Sequence, residues 1–130
     1  MQAQVSVIDD DQGVREALRR LLESAGFTVS IFSSAEEFLT LDGNRATSCL
    51  IVDMRMPGMT GLALHHHLQA EGCRIPAILI TACPATGEQQ EAVAGGMAAY
   101  LGKPFSDRVL LDAVRNALDS TGRAIDQRAL

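Results

Sequence analysis

Tryptophan is absent from this 130-residue chain, and aromatic residues make up only 4% of it. A core must therefore be filled by Leu, Ile, Val and Ala, and a hydrophobic share of 47% is enough to fill one. An excess of positive charge is missing too: 11 basic against 16 acidic residues leave a net charge of −5. Proteins that bind nucleic acid cluster Lys and Arg to displace counterions from phosphates, so no direct nucleic-acid binding by this chain is expected. The three cysteines, Cys49, Cys73 and Cys83, form no Cys-x-x-Cys pair and are odd in number. That argues against a disulfide framework and fits a reducing cytoplasm. The first apolar run meets acid at Asp9, and no run approaches membrane-spanning length. A cytoplasmic domain with neither signal peptide nor membrane span is the expectation, and the length suits one domain.

What is present is alternation. Val5 to Ile8 reads as a strand, and Val14, Ala17, Leu18, Leu21, Leu22 and Ala25 form a stripe of helical period. Asp10 or Asp11 is placed to cap that helix and Gly26 to stop it. Thr28 to Phe32 reads as a second strand, and Ser34-Ala35-Glu36-Glu37 has capping-box spacing ahead of Phe38 and Leu39. After an Asp42-Gly43-Asn44 loop, Cys49 to Val52 is continuously apolar, as for a strand buried on both faces. A helix is predicted over 61–71, a buried strand over 77–80, a helix over 88–94, a short strand over 98–101, and a last helix carrying Val109 to Leu118. Strands alternating with helices imply an α/β fold, a parallel sheet covered on both faces. Residues 120–130 read as fraying helix or the start of a linker.

Four of these strands end in polar residues: Asp9-Asp10, Asp53, Thr81 and Lys103. Ligands of open α/β sheets bind outside the carboxyl ends of the strands, so these side chains should share one crevice. Clustered carboxylates raise one another's pKa unless a cation relieves them. Oxygen ligands that leave room for water suit Mg²⁺. Lys103 and Thr81 would then face an anion beside the metal, and a phosphoryl group fits both halves. Asp53, at the end of the middle strand, is the candidate nucleophile for an acyl-phosphate.

These residues resemble the receiver domains of bacterial two-component response regulators, over Val5 to Leu118. Asp9-Asp10 matches the acidic pair, Asp53 the phosphoacceptor, Met56-Pro57-Gly58 with Gly61 the following loop, Thr81 the Thr/Ser position, Tyr100 the aromatic switch and Lys103-Pro104-Phe105 the Lys-Pro-Phe. The resemblance implies a flavodoxin-like doubly wound five-stranded sheet of order 2-1-3-4-5 with five helices, and a receiver over 1–119. It also implies that Asp53 takes a phosphoryl group from the phosphohistidine of a sensor histidine kinase. Asp10, Asp53 and the Arg55 backbone carbonyl would hold Mg²⁺, with Asp9 assisting. Lys103 would pair with the phosphoryl oxygens, Thr81 and Tyr100 would switch, Arg55 and Cys83 would modulate phosphoryl lifetime, and the Lys103-Pro104 bond would be cis. A phosphorylated homodimer through the helix 4, strand 5, helix 5 face is implied as well.

More narrowly, Val14-Arg15, Ser24-Ala25-Gly26-Phe27, Phe32 to Leu39 and Asp53-Met54-Arg55-Met56-Pro57-Gly58 resemble the nodulation and nitrogen-fixation type. Such regulators continue into a LuxR-type DNA-binding domain, so transcriptional output through a domain outside this chain is expected. The chain departs from the family pattern at Met97, Ala99 and Cys83-Pro84, which leaves the acceptor site intact and bears on the fourth helix. Two rivals stand beside this reading. One is a stand-alone phosphate shuttle or docking receiver. The other is a haloacid-dehalogenase-like phosphatase using Asp9, whose Asp-x-Asp motif is here followed by Gly13 instead of the usual Thr or Val. Apart from its own phosphorylation and dephosphorylation, no enzyme activity is expected. His65-His66-His67 point about 100° apart on a helix and cannot share one ion; they are read as mostly solvent-facing. Asp11 is read as a solvated first-turn residue.

Overall fold

The apolar runs become strands, and the helical stripes become the layers that cover them. A computed structural model describes residues 3–41 and 46–129, so the Asp42-Gly43-Asn44 loop lies outside the described residues. The strands are β1 (Gln4–Ile8), β2 (Thr28–Phe32), β3 (Cys49–Asp53), β4 (Ala77–Thr81) and β5 (Ala99–Gly102). They pair in parallel in the order β2-β1-β3-β4-β5. The helices are α1 (Gln12–Ser24), α2 (Ala35–Thr40), α3 (Gly61–Ala70), α4 (Glu88–Ala94) and α5 (Asp107–Ala129). The doubly wound α/β fold is therefore the one expected. The last helix runs on to Ala129 without a break at Ser120.

Alternation along the strands makes two cores. Ile8, Leu50, Val52 and Leu79 face α2, α3 and α4, where Phe38, Leu64 and Ala92 are fully buried. Val5, Val7, Ile51 and Ile80 face α1 and α5, where Leu22, Leu110 and Val114 are fully buried. The two unusual residues near β5 are fillers: Met97 packs into the first core and Ala99 against the second. Neither disturbs α4, which spans the residues its pattern predicts.

Capping sets the helix starts. Asp11 is the N-cap of α1, its carboxylate accepting from the Val14 N–H at 3.1 Å, and so is not a free first-turn residue. Ser34 accepts from the Glu37 N–H at 3.0 Å, and the Glu37 carboxylate accepts from Ser33 N–H at 2.9 Å, a capping box displaced by one residue. The histidine run divides. His66 and His67 are exposed, but His65 is buried, its Nε2 3.0 Å from the Gly95 carbonyl. Burial lowers its pKa, and a neutral ring donating from Nε2 is what that carbonyl requires.

Neighbours on α5 provide a test of this packing. Leu110 is fully buried and Val109 is 46% exposed. Leu110→Ala should cost about 2–5 kcal/mol in urea unfolding, whereas Val109→Ala should stay within about 0.5 kcal/mol of wild type. Equal losses would mean that α5 presents a different face to the sheet.

Candidate functional site

Parallel strands deliver their carboxyl ends to one edge, and the polar residues collect there. The pairing of Ile8 with Val52 puts Asp9, just past β1, beside Asp53 at the end of β3. That is where the winding reverses, between β1 and β3. Asp9 and Asp53 are buried and Asp10 is exposed, and carboxylate oxygens of the three lie within 4.8 Å of one another. Among the described residues this is a group able to hold a cation, and three oxygen donors with one open flank suit a hard divalent ion.

One ammonium faces two of the three carboxylates. Lys103 Nζ donates to Asp9 Oδ2 at 3.0 Å and lies 3.6 Å from Asp53 Oδ1. Burial pulls its pKa down, but the hydrogen bond and charge of Asp9, with Asp53 behind, outweigh that and hold it raised. Lys103 is itself fixed by its N–H donating to the Thr81 carbonyl at 2.7 Å, and the Lys103-Pro104 bond is cis. Asp9 is held on all sides: its Oδ1 accepts from Asp11 N–H at 2.9 Å and its carbonyl from Arg15 at 2.7 Å. Asp53 remains the charge-deficient member. Burial first, then the Asp9 charge, push its carboxyl above the ordinary value, against Lys103 and the Arg55 N–H.

The loop after Asp53 is pinned tightly. A Cβ at Gly61 would stand 2.7 Å from the Asp53 carbonyl oxygen and 2.7 Å from Leu79 Cδ1, so only glycine lets α3 begin there. The Glu36 carboxylate accepts from Met59 N–H at 3.0 Å, and Gly58 turns beside it at φ +78°.

Toward β4 and β5 the carboxylate cluster gives way to a chain of hydrogen bonds and one ion pair. Thr81 is fully buried, its Oγ1 accepting from the Cys83 N–H at 3.2 Å. Cys83 is exposed, and its carbonyl accepts from Arg55 Nη2 at 3.1 Å. Tyr100 is half-buried and donates its hydroxyl to Glu88 Oε1 at 2.6 Å. Burial, then that bond and the Glu88 charge, push the phenol up to about 12. Arg55 reaches the same carboxylate, Nη2 to Glu88 Oε2 at 2.8 Å. Sequence reasoning missed Glu88, which reads as a solvated first-turn acid; it also missed Glu36 and Arg15. Their long-range partners leave no periodic signal. The apolar side chains that form the walls carry none of this chemistry.

The response regulator receiver domain family model matches residues 5–115. This chain belongs to that family. The receiver is the phosphorylation-signalling module of two-component response regulators. The chain is 41% identical over 123 residues to the transcriptional regulatory protein FixJ of Azorhizobium caulinodans, covering 95% of this chain and 57% of FixJ. It is 40% identical over 110 residues to nodulation protein W of Bradyrhizobium diazoefficiens, covering 85% and 48%. A crystal structure of FixJ-N superposes with a TM-score of 0.82 at 33% identity, over 92% of this receiver and 95% of that chain. The receiver thus spans about half the length of the curated relatives it matches. Neither a phosphatase built on Asp9 nor a receiver that only docks or shuttles is favoured by these matches. Among the described residues, no helix is long and apolar enough to cross a membrane.

The raised Asp53 carboxyl sets a pH dependence. Its folded pKa lies above its unfolded one, so its contribution to stability is present at acid pH and lost as pH rises through the folded value. In EDTA, Asp53→Asn should therefore unfold at a higher temperature than wild type at neutral pH. The two melting curves should converge as pH falls into the carboxylate range. A constant gap across pH would refute this electrostatic account.

Proposed function

We propose that this receiver accepts a phosphoryl group on Asp53 from the phosphohistidine of a sensor histidine kinase. An Asp53 carboxylate oxygen attacks phosphorus, the P–N bond to the histidine breaks, and the histidine nitrogen keeps the electron pair and takes up a proton. The observation that carries the reading is the placement of Asp53, buried beside Asp9 with Lys103 Nζ 3.6 Å from its carboxylate. The cluster fits Mg²⁺, with Asp10, Asp53 and the Arg55 backbone carbonyl as ligands and Asp9 direct or through water. A bound Mg²⁺ supplies positive charge to the carboxylates and to the phosphoryl oxygens. Lys103 neutralises the phosphoryl oxygens from the other side, and the exposed rim lets the donor approach. Asp9 keeps Lys103 aligned while Asp53 is modified.

Thr81, at the end of β4, is placed to turn its hydroxyl toward the new phosphoryl oxygens, and Tyr100 to follow it inward. Arg55 and Cys83, which border the opening, tune how readily water reaches the acyl-phosphate. We read the output as regulation of transcription, delivered by a DNA-binding part in the manner that FixJ's name indicates for that protein. Exposed Val93 on α4 and Val109 on α5 flank β5 and favour that face for a phosphorylated homodimer. The site resides in the cytoplasm with its kinase.

Intact mass after incubation with acetyl phosphate and Mg²⁺ tests the acceptor. One phosphoryl group should appear on wild type, and none on Asp53→Asn or in EDTA. Modification that persists in Asp53→Asn and is lost in Asp9→Asn would transfer the chemistry to Asp9 and overturn the proposal.

A further inference from the structure

Glu88 is an acid at the start of a short helix, yet it is only 6% exposed. Acidic side chains are rarely buried so far unless paired, and both of its oxygens are committed. Oε1 accepts the Tyr100 hydroxyl at 2.6 Å, and Oε2 pairs with the Arg55 guanidinium, Nη2 lying 2.8 Å away. The first is a short, charge-assisted hydrogen bond and the second a close ion pair. The partners come from different places: Arg55 lies two residues beyond Asp53, and Tyr100 lies on β5. Arg55 also holds the Cys83 carbonyl, and the Cys83 N–H in turn donates to Thr81 Oγ1. Its side chain is 48% exposed, so it is free to turn toward a new anion at the rim.

We infer that Glu88 is a positioning residue that couples the loop after Asp53 to Tyr100, holding the resting arrangement until Arg55 is drawn away. The inference rests on Asp53 being the acceptor. A phosphoryl group on Asp53 carries about two negative charges in place of the carboxylate's one, extends them outward from Asp53, and competes with Glu88 for the guanidinium. Once Arg55 leaves, the buried Glu88 carboxylate has lost its counterion, and a half-satisfied buried charge is costly. Relief comes from α4 and Glu88 moving toward water, which takes the acceptor away from Tyr100. The phenol is then free to change place. No atom of Arg55 needs to touch Tyr100 for this; the shared carboxylate carries the message.

The composition provides the probe. With one tyrosine and no tryptophan, the ultraviolet emission of the chain reports on Tyr100 alone. A phenol donating to a carboxylate emits weakly, so release from Glu88 should brighten it. Emission is read before and after acetyl phosphate with Mg²⁺, on wild type, Arg55→Gln, Arg55→Lys and Glu88→Gln, with phosphorylation of each sample checked by intact mass. Wild type should brighten on phosphorylation. In Arg55→Gln the phosphorylation-dependent change should fall at least about five-fold, the lower end of an allosteric coupling, and Arg55→Lys should restore most of it. Glu88→Gln should add nothing to Arg55→Gln in the double variant. Arg55 is half-exposed, so its variants remain informative even where Glu88→Gln fails to fold. A phosphorylated Arg55→Gln that brightens as fully as wild type would overturn the coupling and leave the acceptor reading intact. A wild type that gains no phosphoryl mass would remove both.

Discussion

Like charge held at the edge of a closely packed sheet is the constraint on which the rest of this molecule turns. Asp9 and Asp53 are buried with their oxygens within 4.8 Å. At an effective dielectric of about 20, two such charges repel by on the order of 3–4 kcal/mol. That is too large to leave unanswered in a domain whose net stability is only about 5–15 kcal/mol. Lys103 offsets part of it by bridging both carboxylates. Backbone N–H groups from Asp11 and Arg55 offset another part. What remains is a deficit of positive charge, and a site with that deficit suits a cation. The fold supplies the rigidity. Val52 and Leu79 are fully buried, and Gly61 lets α3 close down on the Asp53 carbonyl, so the carboxylates cannot drift apart to relieve themselves.

The opposite flank is built on different terms. The buried residues of α4 are Glu88 and Ala92, and Val93 on the same helix is 63% exposed. So small an apolar footprint cannot hold a seven-residue helix by area alone. Polar ties hold it at each end: Glu88 to Arg55 and Tyr100 at the start, and the Gly95 carbonyl to His65 and Gln69 at the finish. A polar tie breaks on a change of charge, whereas a packed face does not. Segments of low local stability are the ones that move in switches, and α4 fits that description beside the stiff β1-β3-β4 centre.

Which features the sequence reveals follows from the range of the interactions that make them. Cys49 to Val52 and Ala77 to Ile80 are legible because burial on both faces leaves an uninterrupted apolar run. Asp53, Thr81 and Lys103 are legible because a polar residue ending such a run has no structural use there. Asp11 is half legible: its type says cap, but which of three successive aspartates caps the helix is settled by backbone φ and ψ. His65 and Glu88 are not legible at all. Each is buried by a partner at least twelve positions away in the chain, and neither helical period nor local propensity encodes such a partner. β1 gains Gln4 in the same way, through backbone pairing with Thr28 of β2. The departures at Met97 and Ala99 bear on α4 in the sequence, and packing accounts for them: Met97 is buried in one core and Ala99 packs against the other.

Rigid centre and loosely tied rim together restrict how a change at Asp53 can be felt elsewhere. Ile8, Val52, Leu79 and Ile80 are all fully buried and interlocked, so displacement cannot pass through the sheet without opening voids on both faces. Charge is the remaining carrier, and it acts on groups that are already polar and only partly enclosed. Arg55 is half-exposed, Tyr100 is half-buried, and the Thr81 hydroxyl accepts from the Cys83 N–H of an adjacent turn. Arg55 follows β3, Thr81 ends β4 and Tyr100 lies on β5, on the side of Asp53 where the sheet runs from β3 to β5. A response confined to them must emerge at α4 and β5. The geometry therefore separates two faces of one small domain: Asp9, Asp10 and Lys103 surround Asp53, and the β4-α4-β5 rim carries the polar groups that a change of charge can move.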